Sequence, residues 1–304
     1  MTQTFLAILL TLVPQIDLPD HISFTYQGET ISSANRTDFK IPLLDDRWMD
    51  ADKYLSLMED IEKEVSQKPI NASIDDQGQI IPGKPGKKLD RDKFKQRLFT
   101  YFYDGGPAEL EVPIRPAYPK VDGELLESIQ SQQIGEYITF FNQNNKNRSH
   151  NIALASEAIN NHVVFPGEIF SFNNVVGKRT EEKGYLPAPV IVRGELAEDI
   201  GGGICQVSST LYNAVDSAGI EIMQRYSHSK QVPYVPPGRD ATVSWYGPDF
   251  TFKNNYQQPI LIRSKATHGK MVIHIQSSNV IQHEPKEIPN ASTELPKEIN
   301  VNSN

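Results

Sequence analysis

Cysteine is nearly absent from this chain: Cys205 is the only one in 304 residues. That excludes an internal disulfide framework and any zinc site built from several thiolates. Excess basic charge is absent too, with 30 Lys and Arg against 38 Asp and Glu and a formal net charge of −8. A nucleic-acid binder relying on backbone electrostatics is therefore not expected. No hydrophobic run is long enough to span a bilayer as a helix; the longest, Phe5 to Val13, covers about half of the ~20 residues required. It has the length of a signal-peptide core, yet no Lys or Arg precedes it and no small-x-small site follows before Pro14. We read residues 1–20 as a leader-like apolar segment of an exported protein, giving at most a short N-terminal membrane association. A buried N-terminal strand or helix is the plainer alternative.

What is present supports a sizeable core, in one large domain or two smaller ones, at 38% hydrophobic content. The fold class expected is α+β. In residues 21–120, Tyr54, Leu57, Met58, Ile61 and Val65 recur at helical spacing, as do Phe94, Leu98, Tyr101 and Phe102. A Pro-, Gly- and Asp-rich stretch from Lys68 to Leu89 separates them as short strands and turns, and Gly105-Gly106-Pro107 stops the second helix. This is a small α+β domain without a catalytic cluster. Residues 121–276 form a second domain. Asp122 caps its first helix, a helix runs from Ile152 to Asn161, and strands follow from Phe165 onward, with a last hairpin across His268-Gly269. Residues 277–304 are polar and proline-spotted, which predicts a disordered tail.

The chemistry concentrates at Gly201-Gly202-Gly203-Ile204-Cys205-Gln206. Three glycines run into a helix whose apolar stripe is Val207, Leu211, Ala214, Val215 and Ala218, so the thiol falls in the first turn, off the core face. The positive end of the helix dipole favours a thiolate there. His228 and Asp240 follow, each in its own candidate strand, flanking the rigid loop Val232 to Gly238. In that order Cys205 is a nucleophile, His228 its base and later acid, and Asp240 the orienter of the ring. Backbone N–H groups from Gly203 to Gln206 would hold an oxyanion, and the glycines would let a substrate carbonyl approach. Gly202, Gly203 and Gln206, with Arg148 and Arg239, are the candidate substrate-binding residues. Arg148, His150, Lys178 and Arg179 fall in loops and could take a substrate carboxylate.

A structural reading fits the same residues. Free cysteine is commonly a small core residue, a lone histidine a satisfied hydrogen bonder, and an aspartate after Gly238-Arg239 simple turn chemistry. A metal site has only one cysteine to draw on, and neither metal nor cofactor is expected.

Five motifs carry a family resemblance: Arg148-Ser149-His150-Asn151-Ile152-Ala153-Leu154-Ala155, Phe165-Pro166-Gly167-Glu168 through Asn173, the glycine-cysteine run, Tyr226-Ser227-His228, and Pro237-Gly238-Arg239-Asp240-Ala241-Thr242-Val243. In this order, over roughly 134–264, the chain resembles the VanW family. The preceding unit, with Pro69-Ile70-Asn71-Ala72 and Gly86-Lys87-Lys88-Leu89-Asp90, more loosely resembles a peptidoglycan-binding domain. The resemblance implies a bacterial envelope protein, cell-envelope or extracellular, whose partner is peptidoglycan or its stem peptides. Cys-then-His-then-Asp order also resembles transglutaminase-like and papain-like enzymes. Two functions follow: a cysteine-dependent acyl transferase or amidase, or a non-catalytic peptidoglycan-binding module linked to glycopeptide resistance or wall maintenance.

Overall fold

The computed structural model describes residues 20–41, 48–104, 108–192 and 195–295. The apolar run Phe5 to Val13, the Gly105–Pro107 stop and residues 296–304 of the tail lie outside them. The fold is α+β with mainly antiparallel sheets, in two compact units. One unit comprises residues up to Asn71 together with Gly83–Lys120, and the other comprises Ala72–Pro82 with the chain from Val121.

In the first unit, strand His21–Tyr26 turns through Gln27 and Gly28, both at positive φ (55° and 85°), into the antiparallel strand Glu29–Asn35. It also pairs parallel with Glu109–Glu111. Helix α1 (Ala51–Val65) begins at Asp50, whose carboxylate accepts the N–H groups of Asp52 and Lys53. Met58, Ile61 and Val65 of α1 and Phe94, Leu98, Tyr101 and Phe102 of α2 (Arg91–Asp104) are buried in one core with Ile22 and Phe24. These are the residues that helical periodicity selects.

The second unit is built on a four-stranded antiparallel sheet in the order Gln132–Phe140, Lys270–Ser277, Ile260–Thr267, His162–Val164. Alternation divides its faces. Ile260 and Ile262 enter the main core, whereas Leu261 and Val163 meet Leu126 and Ile129 of α3 (Gly123–Ile129). Asp122 caps α3, accepting the Leu125 N–H at 2.8 Å. On the main-core face lie α4 (Lys146–Ile159) and α6 (Ile204–Ser217). Helix α6 rests directly on the sheet because Gly135 has no side chain; a Cβ there would strike the Ala214 carbonyl and come within 2.8 Å of the Ala218 methyl. Paired hydroxyls tie the layers, Thr139 with Thr210 and Ser156 with Ser264, each at 2.8 Å. A smaller sheet of Ile169–Ser171, Thr251–Lys253 and Glu221–Gln224 and the short helix α5 (Phe172–Val176) complete this unit with the hairpin Pro187–Val192/Glu195–Ile200.

Three features depart from the sequence reading. Helix α4 starts at Lys146, capped by the Asn145 side chain on the Arg148 N–H at 3.1 Å, so Arg148 and His150 ride on a helix rather than a loop. Its first turns are polar, and apolar spacing is blind to them. Helix α6 is buried on its polar side as well: Ser208, Ser209, Thr210 and Asn213 are fully enclosed. Residues 278–295, read as disordered from composition, pack on this unit: Ile281 is buried, the Lys286 N–H bonds the Ser217 carbonyl at 2.9 Å, and the Tyr137 hydroxyl bonds the Pro289 carbonyl at 2.9 Å.

Candidate active site

The triple glycine makes a tight entrance to α6. Gly201 and Gly203 have φ of 89° and 106°, the left-handed region that glycine enters without steric cost. Gly202 lies against the strand Pro187–Val192: a Cβ there would strike the Ala188 carbonyl oxygen and reach 2.7 Å from that of Pro189. A Cβ on Gly203 would stand 2.9 Å from Arg148 Cγ. The space that the sequence suggested for substrate is thus filled by the protein's own chain. The N–H groups of Ile204 and Gln206 are likewise engaged, with the carbonyls of Gly201 (3.3 Å) and Gly203 (3.0 Å).

Cys205 follows in the first turn of α6, partly buried, against the chain segment that covers the polar side of the helix. Its sulfur lies 3.7 Å from Thr242 Oγ1 and 3.6 Å from the Val243 carbonyl oxygen. That segment corrects one expectation: His228 and Asp240 are not in strands. Residues 225–228 and 239–243 are irregular chain, joined by the Thr242 N–H to the Tyr226 carbonyl at 2.8 Å and by Arg225 Nη1 to the Asp240 carbonyl at 2.6 Å. Helix α6 supplies the remaining anchors. Ser208 Oγ donates to the Ala241 carbonyl at 2.6 Å, and Ser209 Oγ accepts the Ala241 N–H at 2.9 Å. Polar side chains on α6 therefore replace the sheet ladder that would otherwise fix these residues.

On that support the three residues come together. Asp240 Oδ2 takes both the backbone N–H and Nδ1 of His228, each at 2.6 Å, and both side chains are more than nine-tenths buried. The imidazole in turn interacts with Cys205, and the two shift each other's ionisation. With Nδ1 committed to the carboxylate, Nε2 is the atom left for the thiol. Burial pushes the Cys205 thiol up, but the hydrogen bond and charge of His228 outweigh it, and the net shift is downward. Burial pulls His228 down, but Cys205 and Asp240 carry it above its ordinary value. Both shifts favour a thiolate–imidazolium pair.

Among the other residues singled out from sequence, the structure gives several of them internal work. Gln206 is fully buried and bonds Thr139 Oγ1 and the Phe140 carbonyl, both at 3.0 Å, and takes Arg148 Nη2 at 2.6 Å. Arg239 is braced by Asp216 (2.8 Å) and Asn213 (2.7 Å) and lies over the Tyr212 ring. His150 meets the Gly184 carbonyl at 2.9 Å, and the Lys178 ammonium covers the Tyr246 ring.

Two neighbours stand out in the structure, one of them missed by the sequence reading. Tyr234, inside the loop read as a rigid spacer, is buried at the site; burial, then the negative charge of Cys205, pushes its phenol well above the usual range, so it stays a neutral donor. Arg179, counted among loop cations, has a guanidinium that feels the charge of Cys205. No local sequence signal marks Tyr234, since its partners lie in α4 and α6.

Comparison with known proteins shows the family. A family model described as "VanW like protein" matches residues 147–276, which include Cys205, His228 and Asp240. The uncharacterized protein YoaR of Bacillus subtilis (strain 168) is 53% identical over 301 residues, spanning 99% of both chains. The chain belongs to the VanW family. The vancomycin B-type resistance protein VanW of Enterococcus faecalis (strain ATCC 700802 / V583) is 30% identical over 115 residues, 36% of this chain and 42% of that one. No solved structure matches. A second family model, "Putative peptidoglycan binding domain", matches residues 46–109, which fall in the first unit except for Ala72–Pro82. With the VanW match it supports a cell-wall-associated protein with peptidoglycan as a partner. Among the described residues no helix is long and apolar enough to cross a membrane.

Proposed function

We propose that this VanW-family protein is a cysteine-dependent acyl transferase or amidase acting on peptidoglycan stem peptides, exported to the envelope. The first unit holds wall polymer and residues 121–276 carry the chemistry. The observation that supports this best is the Asp240–His228 hydrogen bond, with the imidazole acting on the Cys205 thiol at the first turn of α6 to lower its pKa.

The Cys205 thiolate attacks an amide carbonyl carbon, forming a C–S bond and a tetrahedral oxyanion near the positive end of α6. The C–N bond then breaks, and the departing amine takes its proton from His228, leaving a thioester. An amine acceptor or water attacks that thioester, His228 takes the incoming proton, and the thiolate leaves. Asp240 keeps the ring oriented and stabilises its charged form in both halves. The amine acceptor gives transfer and water gives hydrolysis.

Incubation with muropeptides of defined stem, read by intact-protein mass and by amine release, tests this reading. Wild type should gain the mass of an acyl fragment on Cys205 and release amine, and Cys205→Ser should do neither. Retention on peptidoglycan with no adduct and no release would leave a non-catalytic wall-binding module.

A further inference from the structure

The Arg179 side chain sits beside the glycine turn that leads into α6. A Cβ on Gly201 would lie 3.2 and 3.3 Å from Arg179 Cβ and Cγ, so the stem of Arg179 packs four residues before the cysteine. Its guanidinium carbon is 5.8 Å from the centre of the Phe172 ring. Nη1 and Nη2 are both buried, and neither has a hydrogen-bond partner among the described residues. The neighbouring carboxylate, Asp249, is occupied: its oxygens take Ser171 Oγ at 2.6 Å, the Asn173 N–H at 2.9 Å and the Phe250 N–H at 2.8 Å. Tyr185, also near, is buried and offers a phenol rather than a charge.

A buried guanidinium without a hydrogen-bond partner is costly, because it has lost its water and the charge of Cys205 offsets that loss without satisfying its N–H groups. Its fork matches a carboxylate in bidentate fashion. We infer that Arg179 is a substrate-binding residue that takes a carboxylate of the peptide handled at Cys205, so that the substrate carries a free carboxylate close to the amide under attack. The chemical class is an acidic peptide end or side chain. This rests on the proposed function for the role of Cys205, but the anion site is testable apart from it.

The probes are N-acetylalanine and N-acetylalaninamide, which differ only in carboxylate against carboxamide. Titrated into the full-length protein and followed by NMR, the acid should bind at least about tenfold more tightly than the amide. Arg179→Met, which keeps an unbranched stem against Phe172, should erase that preference. Equal binding of the two, no binding of either, or a preference that survives in the variant would overturn the inference. Alkylation gives a second reading: the iodoacetate-to-iodoacetamide rate ratio at Cys205, relative to free cysteine, should be raised about tenfold in wild type. A ratio equal to that of free cysteine would count against the anion site. The wild-type arms stand if Arg179→Met fails to fold. An inert thiol with intact acid preference would end the proposed function and leave the anion site, and a reactive thiol without that preference would do the reverse.

Discussion

His228 Nδ1 lies 2.6 Å from Asp240 Oδ2, and the same oxygen holds the backbone N–H of His228 at 2.6 Å. One carboxylate oxygen thus fixes both the position of the chain and the orientation of the ring. Nε2 is the ring nitrogen left for the Cys205 thiol.

Asp240→Asn removes the charge that helps raise His228, so the imidazolium is less stable and the Cys205 pKa moves back up toward the ordinary thiol value. At pH 6 we expect alkylation of Cys205 to slow about tenfold, equivalent to one pKa unit. Iodoacetamide kinetics with an unchanged far-UV spectrum check this. An unaltered rate would mean that the carboxylate serves the loop and not the thiol.

Arg239, expected from sequence to touch substrate, is expected from structure to hold the loop on α6. Arg239→Ala leaves Asp216 with Lys286 alone (3.0 Å) and the Tyr212 ring with Arg225 alone, at a cost of about 2 kcal/mol in urea unfolding. Burial raises the Asp216 carboxyl, but Lys286 and Arg239 outweigh it and hold it below 3.8. Its stabilisation is therefore present above that pH and fades as pH falls through the lowered folded value. The gap between wild type and variant should narrow over the same acid range, as paired urea titrations at several pH values would show.

The segment 278–295 is expected to behave as part of the second unit. Ile281→Ala removes a buried side chain and should cost about 2 kcal/mol. Hydrogen exchange should show protection at the Lys286 amide, which bonds the Ser217 carbonyl at 2.9 Å. Full exchange there within the dead time, with no stability loss in the variant, would restore the composition-based view of a loose tail.

Periodicity made the helices legible wherever an apolar stripe meets a core, as in α1, α2 and the buried face of α6. It missed the first turns of α4, where Asn145 and polar residues begin the helix without apolar spacing. The glycine turn was legible as a turn, but its occupant was not: Ala188, Pro189 and Arg148 arrive from elsewhere in the chain. Cys205, His228 and Asp240 could be singled out as candidates because helix dipole, thiol, imidazole and carboxylate chemistry are local properties. Their scaffold could not, since it consists of Ser208 and Ser209 hydroxyls bonding Ala241, a pairing no strand pattern announces. Arg179 is the sharpest case. Its meaning comes from lacking a partner once buried, which only the folded chain reveals.

The most direct test of the central claim is the alkylation rate of Cys205 from pH 4 to 9 in wild type and His228→Ala. Burial opposes the thiolate and His228 supports it, so wild type should alkylate with an apparent pKa below 9.0 and the variant with one clearly higher. A slow rate at every pH, or the same profile in both proteins, would contradict an activated cysteine.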